Sequence, residues 1–242
     1  MKSGWIVIRK RENAAENPSC GYCHGSSTKH GRTRSGDQRY RCRQCHRSFI
    51  TYYSQSARHR DIDRKIAKLT CEGCGIRSIG RVLKISVTTV MSRIRTIASK
   101  IRKPLISIGK EYEVDEIRTY CKLKERKIWI VYALRRDTKE VVDFAVGRRT
   151  LKTLGRVTNT LQLSGAERIY TDKLPHYKTL ISKDVHQTKA YGTNSIERRN
   201  LTLRTHLKRL QRKTICFTRS ISMLISCLKI SFWGVVNWKS VC

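Results

Sequence analysis

Apolar positions follow three regimes along the chain. Between residues 61 and 99 they recur at helical spacing: Ile62, Ile66 and Leu69 fall at i, i+4, i+7 on one face. Ile79, Val82 and Leu83 mark a short second helix, and Val87, Val90, Met91, Ile94 and Ile97 stripe a third. Ile85-Ser86 makes a tight connection between these two, with Ser86 as N-cap. Helix, short helix, tight turn and helix is the helix-turn-helix pattern, here over residues 60–100, whose last helix enters the DNA major groove. A three-helix packing unit with a basic face would share the pattern.

The Pro- and Gly-marked stretch "SKIRKPLISIGKE" is placed as a domain boundary, and beyond it the period changes. "YEVDEIRTY" alternates like a strand, "KIWIVYAL" is a continuous apolar run suited to a central strand, and "EVVDFAVG" is a third. The spacers "CKLKER" and "RRDTK" are hairpin-sized. Leu151, Leu154, Val157 and Leu161 then take helical spacing, "ERIYTD" is a short fourth strand, "PHYKTLI" a helical turn and "VHQTKAY" a fifth strand. The segment that follows, "TNSIERRNLTLRTHLKRL", reads as a long helix, and "SMLISCLKISFWGVVNWKSVC" as a last helix packed on the sheet. Over residues 111–242 this is the element order of a ribonuclease-H-like α/β domain; order alone leaves other α/β folds open.

Residues 17–53 carry few apolar positions but two Cys-x-x-Cys pairs, Cys20/Cys23 and Cys42/Cys45. Each pair suits a tight knuckle, and two knuckles complete a tetrahedral Zn²⁺ site, so a zinc ribbon is expected. The segment between is rich in Gly, Ser and Arg and cannot build a core without the metal. His24, His30 and His46 lie near, but four thiolates already close a structural site. Cys71 and Cys74 have no matching pair; Gly73 and Gly75 beside them indicate a helix-ending turn with incidental thiols.

Charge narrows the partner. The 242-residue chain holds 52 Lys+Arg against 18 Asp+Glu, a net +34, which calls for a polyanion, and nucleic acid is the default. The outward positions of the third helix, Thr88, Thr89, Ser92, Arg93 and Arg95, all suit phosphate or base-edge contacts. No membrane role is expected: the opening residues hold too short an apolar stretch for a signal peptide, and Arg219 and Lys229 interrupt the apolar end. Ten cysteines in an intracellular chain point to metal or free thiols rather than disulfides.

Against that charge, each acid facing nucleic acid needs a cation to hold. Asp115 lies mid-strand beside Glu116, Asp172 closes "IYTD", and Glu197 is the only acid between Val185 and Cys242. Phosphodiester chemistry uses two Mg²⁺ ions, and hard ions call for carboxylate oxygens. At 100° per residue, Arg204 sits about 20° from Glu197 and Lys208 about 20° to the other side, apart from the apolar stripe. Helix capping competes for Glu197, with Asn194 as N-cap and Glu197 at N3. Salt bridging and turn roles compete for Asp115 and Asp172.

With these residues in view, the chain resembles DDE transposases of the insertion-sequence-one type, carried on small mobile elements in bacteria and archaea. The matching blocks are "EVDE", "GRRTLKTLGR", "YTDKLPHY" and "IERRNLTLRTHLKRLQRKTICFTRS", and the four cysteines with "GIRSIGRVLKISVTTV" match the family's zinc-finger and helix-turn-helix region. The resemblance implies that Asp115, Asp172 and Glu197 bind catalytic Mg²⁺, with Mn²⁺ an expected substitute, and that Arg204 contacts the element's end. Twenty-four residues separate Asp172 from Glu197, the family's short interval, whereas Lys173-Leu174 replaces its more usual Gly-Trp. It further implies binding of double-stranded DNA at inverted repeats and target, strand cleavage and strand transfer, a homo-oligomer on DNA, and a cytoplasmic, nucleoid-associated location. A DNA-binding regulator without catalysis, or a structure-selective nuclease on the same fold, would share most of these features.

Overall fold

The computed structural model describes residues 17–51, 57, 59, 61–189, 191–211, 213–214 and 216–234. The opening apolar stretch, the end of the expected 17–53 ribbon and the apolar residues 235–242 lie outside them. The chain divides into two compact units, residues 1–60 and 61–242.

In the first unit, β1 (Ser27–Arg32), β2 (Gln38–Cys42) and β3 (Ser48–Ile50) form an antiparallel sheet in that order. Tyr40 and Phe49 face each other across β2 and β3, with ring centroids 5.9 Å apart. Among the described residues its buried core is Cys20, Tyr40, Cys42 and Phe49. So small a core does not hold a fold unaided, and the cysteines within it are the natural clasp.

The second unit opens with α1 (Ile62–Cys71), α2 (Ile76–Leu83) and α3 (Val87–Lys100). Ser86 caps α3 as the sequence predicts, its Oγ accepting the Thr89 amide at 3.0 Å. Gly80 makes the α2–α3 turn possible: a Cβ there would stand 2.9 Å from the Ile85 carbonyl oxygen. Val82, expected to mark the packed face of α2, is exposed instead, because α2 presses Ile79 and Gly80 inward. At the end of α1, Gly73 takes φ +78° and its α-carbon faces the His206 carbonyl with no room for a side chain. Cys71 and Cys74 flank this turn as free, half-buried thiols.

A mixed five-stranded sheet follows, built from β4 (Glu111–Cys121), β5 (Leu123–Arg135), β6 (Val141–Gly147), β7 (Arg168–Tyr170) and β8 (His186–Gln187). Its order is β6-β5-β4-β7-β8; the first three are antiparallel, while β7 runs parallel to β4 and β8 to β7. The "CKLKER" spacer is itself strand, for β4 and β5 are joined through Lys122 alone, at φ +65°. Helix α4 (Leu151–Leu163) crosses from β6 to β7 and packs Leu154, Val157 and Leu161 on Tyr112, Val114, Val131 and Ala133. Leu151 stays exposed at the start of α4.

The other face of the sheet is covered by α6 (Asn194–His206) and α7 (Ile221–Lys229), the latter running on into a π-helical turn, Ile230–Gly234. Ile117, Ile130, Tyr132 and Leu134 meet Ile196, Leu203, Leu224 and Trp233 there, and the same cluster takes in Ile66, Ile79, Ile94 and Ile101. The three N-terminal helices and the sheet therefore share one core across the junction near residue 101. Between β7 and β8 lies the short α5 (Pro175–Leu180), with Pro at its start. The "long helix" expected after Thr193 is shorter: α6 ends at His206, Leu207 turns extended, and Lys208–Leu210 form a 3-10 turn. Among the described residues no helix is long and apolar enough to cross a membrane.

Candidate active site

Sheet register builds the acidic site. Parallel pairing of β4 with β7 runs Glu111↔Arg168, Tyr112↔Ile169, Glu113↔Tyr170 and then stops. Two residues further along each strand stand Asp115 and Asp172, so the carboxyl end of β7 opens beside the middle of β4. Such an opening at strand ends is where α/β sheets place ligands. Carboxylate oxygens of Asp115, Glu116 and Asp172 lie within 4.8 Å of one another. Asp172 also accepts the Leu174 amide at 3.1 Å, the turn that leads into α5.

Each acid is held differently. Asp115 Oδ1 accepts the Glu116 amide (2.7 Å) and its Oδ2 accepts the Asn200 side-chain amide (2.6 Å). Asn200 Oδ1 in turn accepts the Tyr132 hydroxyl at 2.7 Å. Burial pushes the Asp115 carboxyl above the usual range, and the charges of Asp172 and Glu197 add to this. Glu116 is raised by burial too; Arg149 opposes the rise from 3.4 Å and rests its guanidinium 4.5 Å from the Trp129 ring centre. Glu116 Oε1 and the Tyr177 hydroxyl are both buried and near one another, but without hydrogen-bond geometry between them. A phenol buried beside Glu116, Asp115 and Asp172 is pushed well above its ordinary range and stays protonated.

This donor set fits a hard cation. Oxygens around octahedral Mg²⁺ stand about 3 Å apart when adjacent and about 4.2 Å when opposite, so the cluster would have to draw in for all three acids to reach one ion. A cation would also relieve the mutual repulsion and the orphaned Glu116 oxygen.

Glu197 is not one of the three clustered acids. It is exposed, and its Oε1 accepts the Thr193 hydroxyl at 2.9 Å. The expected capping register also shifts by one: Thr193 is the N-cap and Ile196, not Glu197, is the third helical residue. The Ile196 amide is capped from the sheet, donating to Glu113 Oε2 at 2.8 Å. Glu113 is fully buried and sits 3.3 Å from Arg136, an ion-pair distance without hydrogen-bond geometry.

Of the basic positions on α6, Arg204 is half-buried and donates to the Leu210 carbonyl at 3.1 Å, bracing the 3-10 turn. Lys208 is exposed in that turn and not on α6, so the predicted Glu197–Arg204–Lys208 stripe is broken after Arg204. On α3, Thr88, Ser92 and Arg95 are exposed and Thr89 is half-buried against the Ser86 cap. Arg93 is drawn back to Asp63 of α1 at 3.5 Å. A further cavity of about 490 Å³ on another flank of α6 is lined by Leu134, Lys139, Asn194, Ser195, Arg198, Arg199 and Thr202, with Lys139 Nζ donating to Ser195 Oγ at 2.7 Å.

In the first unit Cys20, Cys23, Cys42 and Cys45 converge as free thiols, with Cys20···Cys45 at 3.6 Å and Cys23···Cys42 at 3.4 Å. Sulfurs around tetrahedral Zn²⁺ stand about 3.8 Å apart, whereas a disulfide needs about 2 Å. The Cys45 amide, then that of Gln44, point at Cys42 Sγ and lower its thiol, whereas burial and the crowding thiols push Cys45 up, so without a cation the cluster shares its protons. The four could hold one zinc ion.

Known proteins match part of the second unit. The IS1 transposase family model matches residues 110–230. "Insertion element iso-IS1n protein InsB" of Shigella dysenteriae is 38% identical over 111 residues, 46% of this chain and 85% of that protein. "Insertion element IS1 2 protein InsB" of Escherichia coli (strain K12) is 38% identical over 109 residues, 45% of this chain and 65% of that one. The chain thus spans about two thirds of the Escherichia coli relative's length. A solved structure of a simian T-cell lymphotropic virus intasome, in complex with PP2A regulatory subunit B56 gamma, aligns over 67% of this chain and 66% of its own. Its TM-score is 0.35 and its identity 13%.

Proposed function

Because this chain belongs to the IS1 transposase family, we propose that it is the transposase of a small mobile element, cutting DNA at the element's ends and joining them to target DNA. The observation that carries this is the pair Asp115 and Asp172, brought side by side where β4 and β7 part, with a buried carboxylate oxygen of Glu116 left unpaired beside them. The sheet order, with three antiparallel strands, a crossover helix and two parallel strands, supports a ribonuclease-H-like catalytic part over 111–242.

Asp115, Asp172 and Glu197 would hold Mg²⁺, or Mn²⁺ in its place, with Glu116 as a neighbouring carboxylate. When bound, such ions activate the attacking oxygen and stabilise the leaving one. The chain's own groups then act as holders. Asn200 would fix the orientation of Asp115 through its Oδ2, and Arg149 would keep the buried Glu116 charged. Glu197 projects from the first turn of α6, close enough for its charge to be felt at Asp115.

The four cysteines would fold the first unit around Zn²⁺, and that ribbon with the helix-turn-helix of residues 60–100 would bind the inverted repeats. Thr88, Thr89 and Ser92 would contact the major groove; Arg93 would do so after leaving Asp63. Arg204 would orient the turn that offers Lys208 to phosphate. Two ends held together call for a homo-oligomer on DNA.

The test is 3′-end cleavage of element-end DNA with Mg²⁺ or Mn²⁺, followed by joining to target. Asp172→Asn and Glu197→Gln are expected to lose cleavage while still binding the ends. Full cleavage in either variant removes that residue from the mechanism. Cutting without joining would mark a structure-selective nuclease instead.

A further inference from the structure

Strand β4 presents two acids on one face, Glu113 and Asp115, and both reach helix α6. Asp115 takes the Asn200 amide. Glu113 does something less common: fully buried, it accepts the Ile196 amide at 2.8 Å, in the first turn of α6. The first amides of a helix lack partners within it, and a carboxylate there also meets the positive end of the helix dipole. Ordinarily a residue just before the helix does this work. Here Thr193 occupies that place and turns its hydroxyl to Glu197 instead, so no side chain from its own segment caps α6.

The consequence is geometric. Ile196 is the residue before Glu197, so a bond from Glu113 to the Ile196 amide ties the first turn of α6 to β4 two residues before Asp115. We propose that Glu113 is a positioning residue, a cap supplied by the sheet that sets the height of Glu197 against Asp115 and Asp172. This rests on the metal-holding role proposed for those three acids. Arg136 completes the arrangement: it lies 3.3 Å from Glu113, 3.7 Å from Glu111 and 4.0 Å from the centre of the Tyr170 ring, so the end of β7, two residues before Asp172, rests on the cation that faces the same carboxylate. Reach is what matters in this role more than charge. An amide oxygen at the same distance could accept the Ile196 proton, whereas a carboxylate one methylene shorter could not.

That asymmetry gives the experiment. Full-length Glu113→Gln and Glu113→Asp are compared with the parent protein and with Asp172→Asn. Mn²⁺ affinity is read from the free-ion paramagnetic resonance signal, and amide exchange across residues 193–200 by mass spectrometry. Circular dichroism checks the fold. Glu113→Gln is expected to keep both properties near the parent's. Glu113→Asp is expected to bind Mn²⁺ roughly tenfold more weakly, as groups supporting metal ligands do, and to exchange faster at the start of α6. A Glu113→Asp protein with parental Mn²⁺ affinity and exchange overturns the proposal, as does a Glu113→Gln protein that loses both while folded. Should Glu113→Asp fail to fold, loss of Mn²⁺ binding in folded Glu113→Gln still overturns it and retention supports it. Parental Mn²⁺ binding by Asp172→Asn would instead remove the metal-holding role itself.

Discussion

Removing one hydroxyl from the core tests how Asp115 is aimed. Tyr132 is fully buried, and burial pushes its phenol far above the ordinary range, so it donates at every accessible pH. Its shorter contact is to Asn200 Oδ1 at 2.7 Å; the Ile196 carbonyl lies at 3.2 Å. Tyr132→Phe keeps the ring and its stacking on Phe232, at 5.5 Å, and removes only the donor. The Ile196 carbonyl retains its helical acceptor role, but the Asn200 oxygen is left without a donor. Asn200 is half-buried, so the loss of its donor falls at the low end of the about 1–3 kcal/mol that an unpaired buried acceptor costs, about 1 kcal/mol. For a unit of this size that lowers the melting temperature by about 2–4 °C. The assay is thermal and urea unfolding followed by tryptophan fluorescence, with Asn200→Ala and the double variant completing a cycle. Coupling of about 1 kcal/mol between the two positions is expected, because residues in one hydrogen-bond chain do not add independently. A loss below about 0.5 kcal/mol in Tyr132→Phe, or additive single variants, would refute the relay from Tyr132 through Asn200 to Asp115.

Three further outcomes are expected. Cys42→Ser, or treatment with a zinc chelator, should unfold the first unit while leaving the Trp233 environment unchanged, read by circular dichroism and fluorescence; a stable β1–β3 sheet without metal would contradict the clasp. Lys139→Ala and Arg198→Ala, on the cavity beside α6, should each reduce the salt dependence of DNA affinity, by about 0.9 in the log–log slope for every phosphate no longer neutralised. An unchanged slope in both would place DNA elsewhere. His186, bonded to Thr171 at 2.7 Å, has its pKa lowered by burial and by Lys178. Below about pH 6.5 the unfolded chain then binds the extra proton first, so stability declines as pH falls through the lowered value. His186→Asn should flatten that part of the pH–stability curve.

How much of this was legible in the chain depends on whether a feature is local. Ser86, the Cys-x-x-Cys knuckles and the order of the five strands declare themselves through neighbours in sequence, whereas strand ends do not: β5 takes in most of the expected spacer, and of "VHQTKAY" only His186–Gln187 is strand. Asp115 and Asp172 could be picked out as acids at strand positions in a basic protein, and their juxtaposition follows from sheet register. Glu113 could not. Inside "YEVDEIRTY" it looks like one polar position of an alternating strand, and only the arrival of α6 from 83 residues away gives its carboxylate a partner. Glu116 was likewise visible as a neighbour of Asp115 but not as part of the cluster, because the two lie on opposite faces of an ideal strand. The end of α6 carries no Gly or Pro to announce it; the turn at Leu207 is imposed by packing of Leu207 and Leu210 into the core. Val82 and Leu151 show the converse: helical spacing marks an apolar face, while neighbours decide how wide that face is.

The core shared by α1–α3 and the sheet has a mechanical meaning. Gly73 abuts the backbone at the end of α6, and Ile94 and Ile101 lie in one cluster with Leu224 and Trp233. A reading head mounted on a flexible tether could cut at variable distance from the sequence it grips. Helices set into the same block as the acids would instead work like a fixed caliper. On the proposed function, the number of base pairs between the recognised step and the cut is a property of the fold, and lengthening the DNA between them by half a helical turn would carry the scissile bond to the wrong side of the duplex.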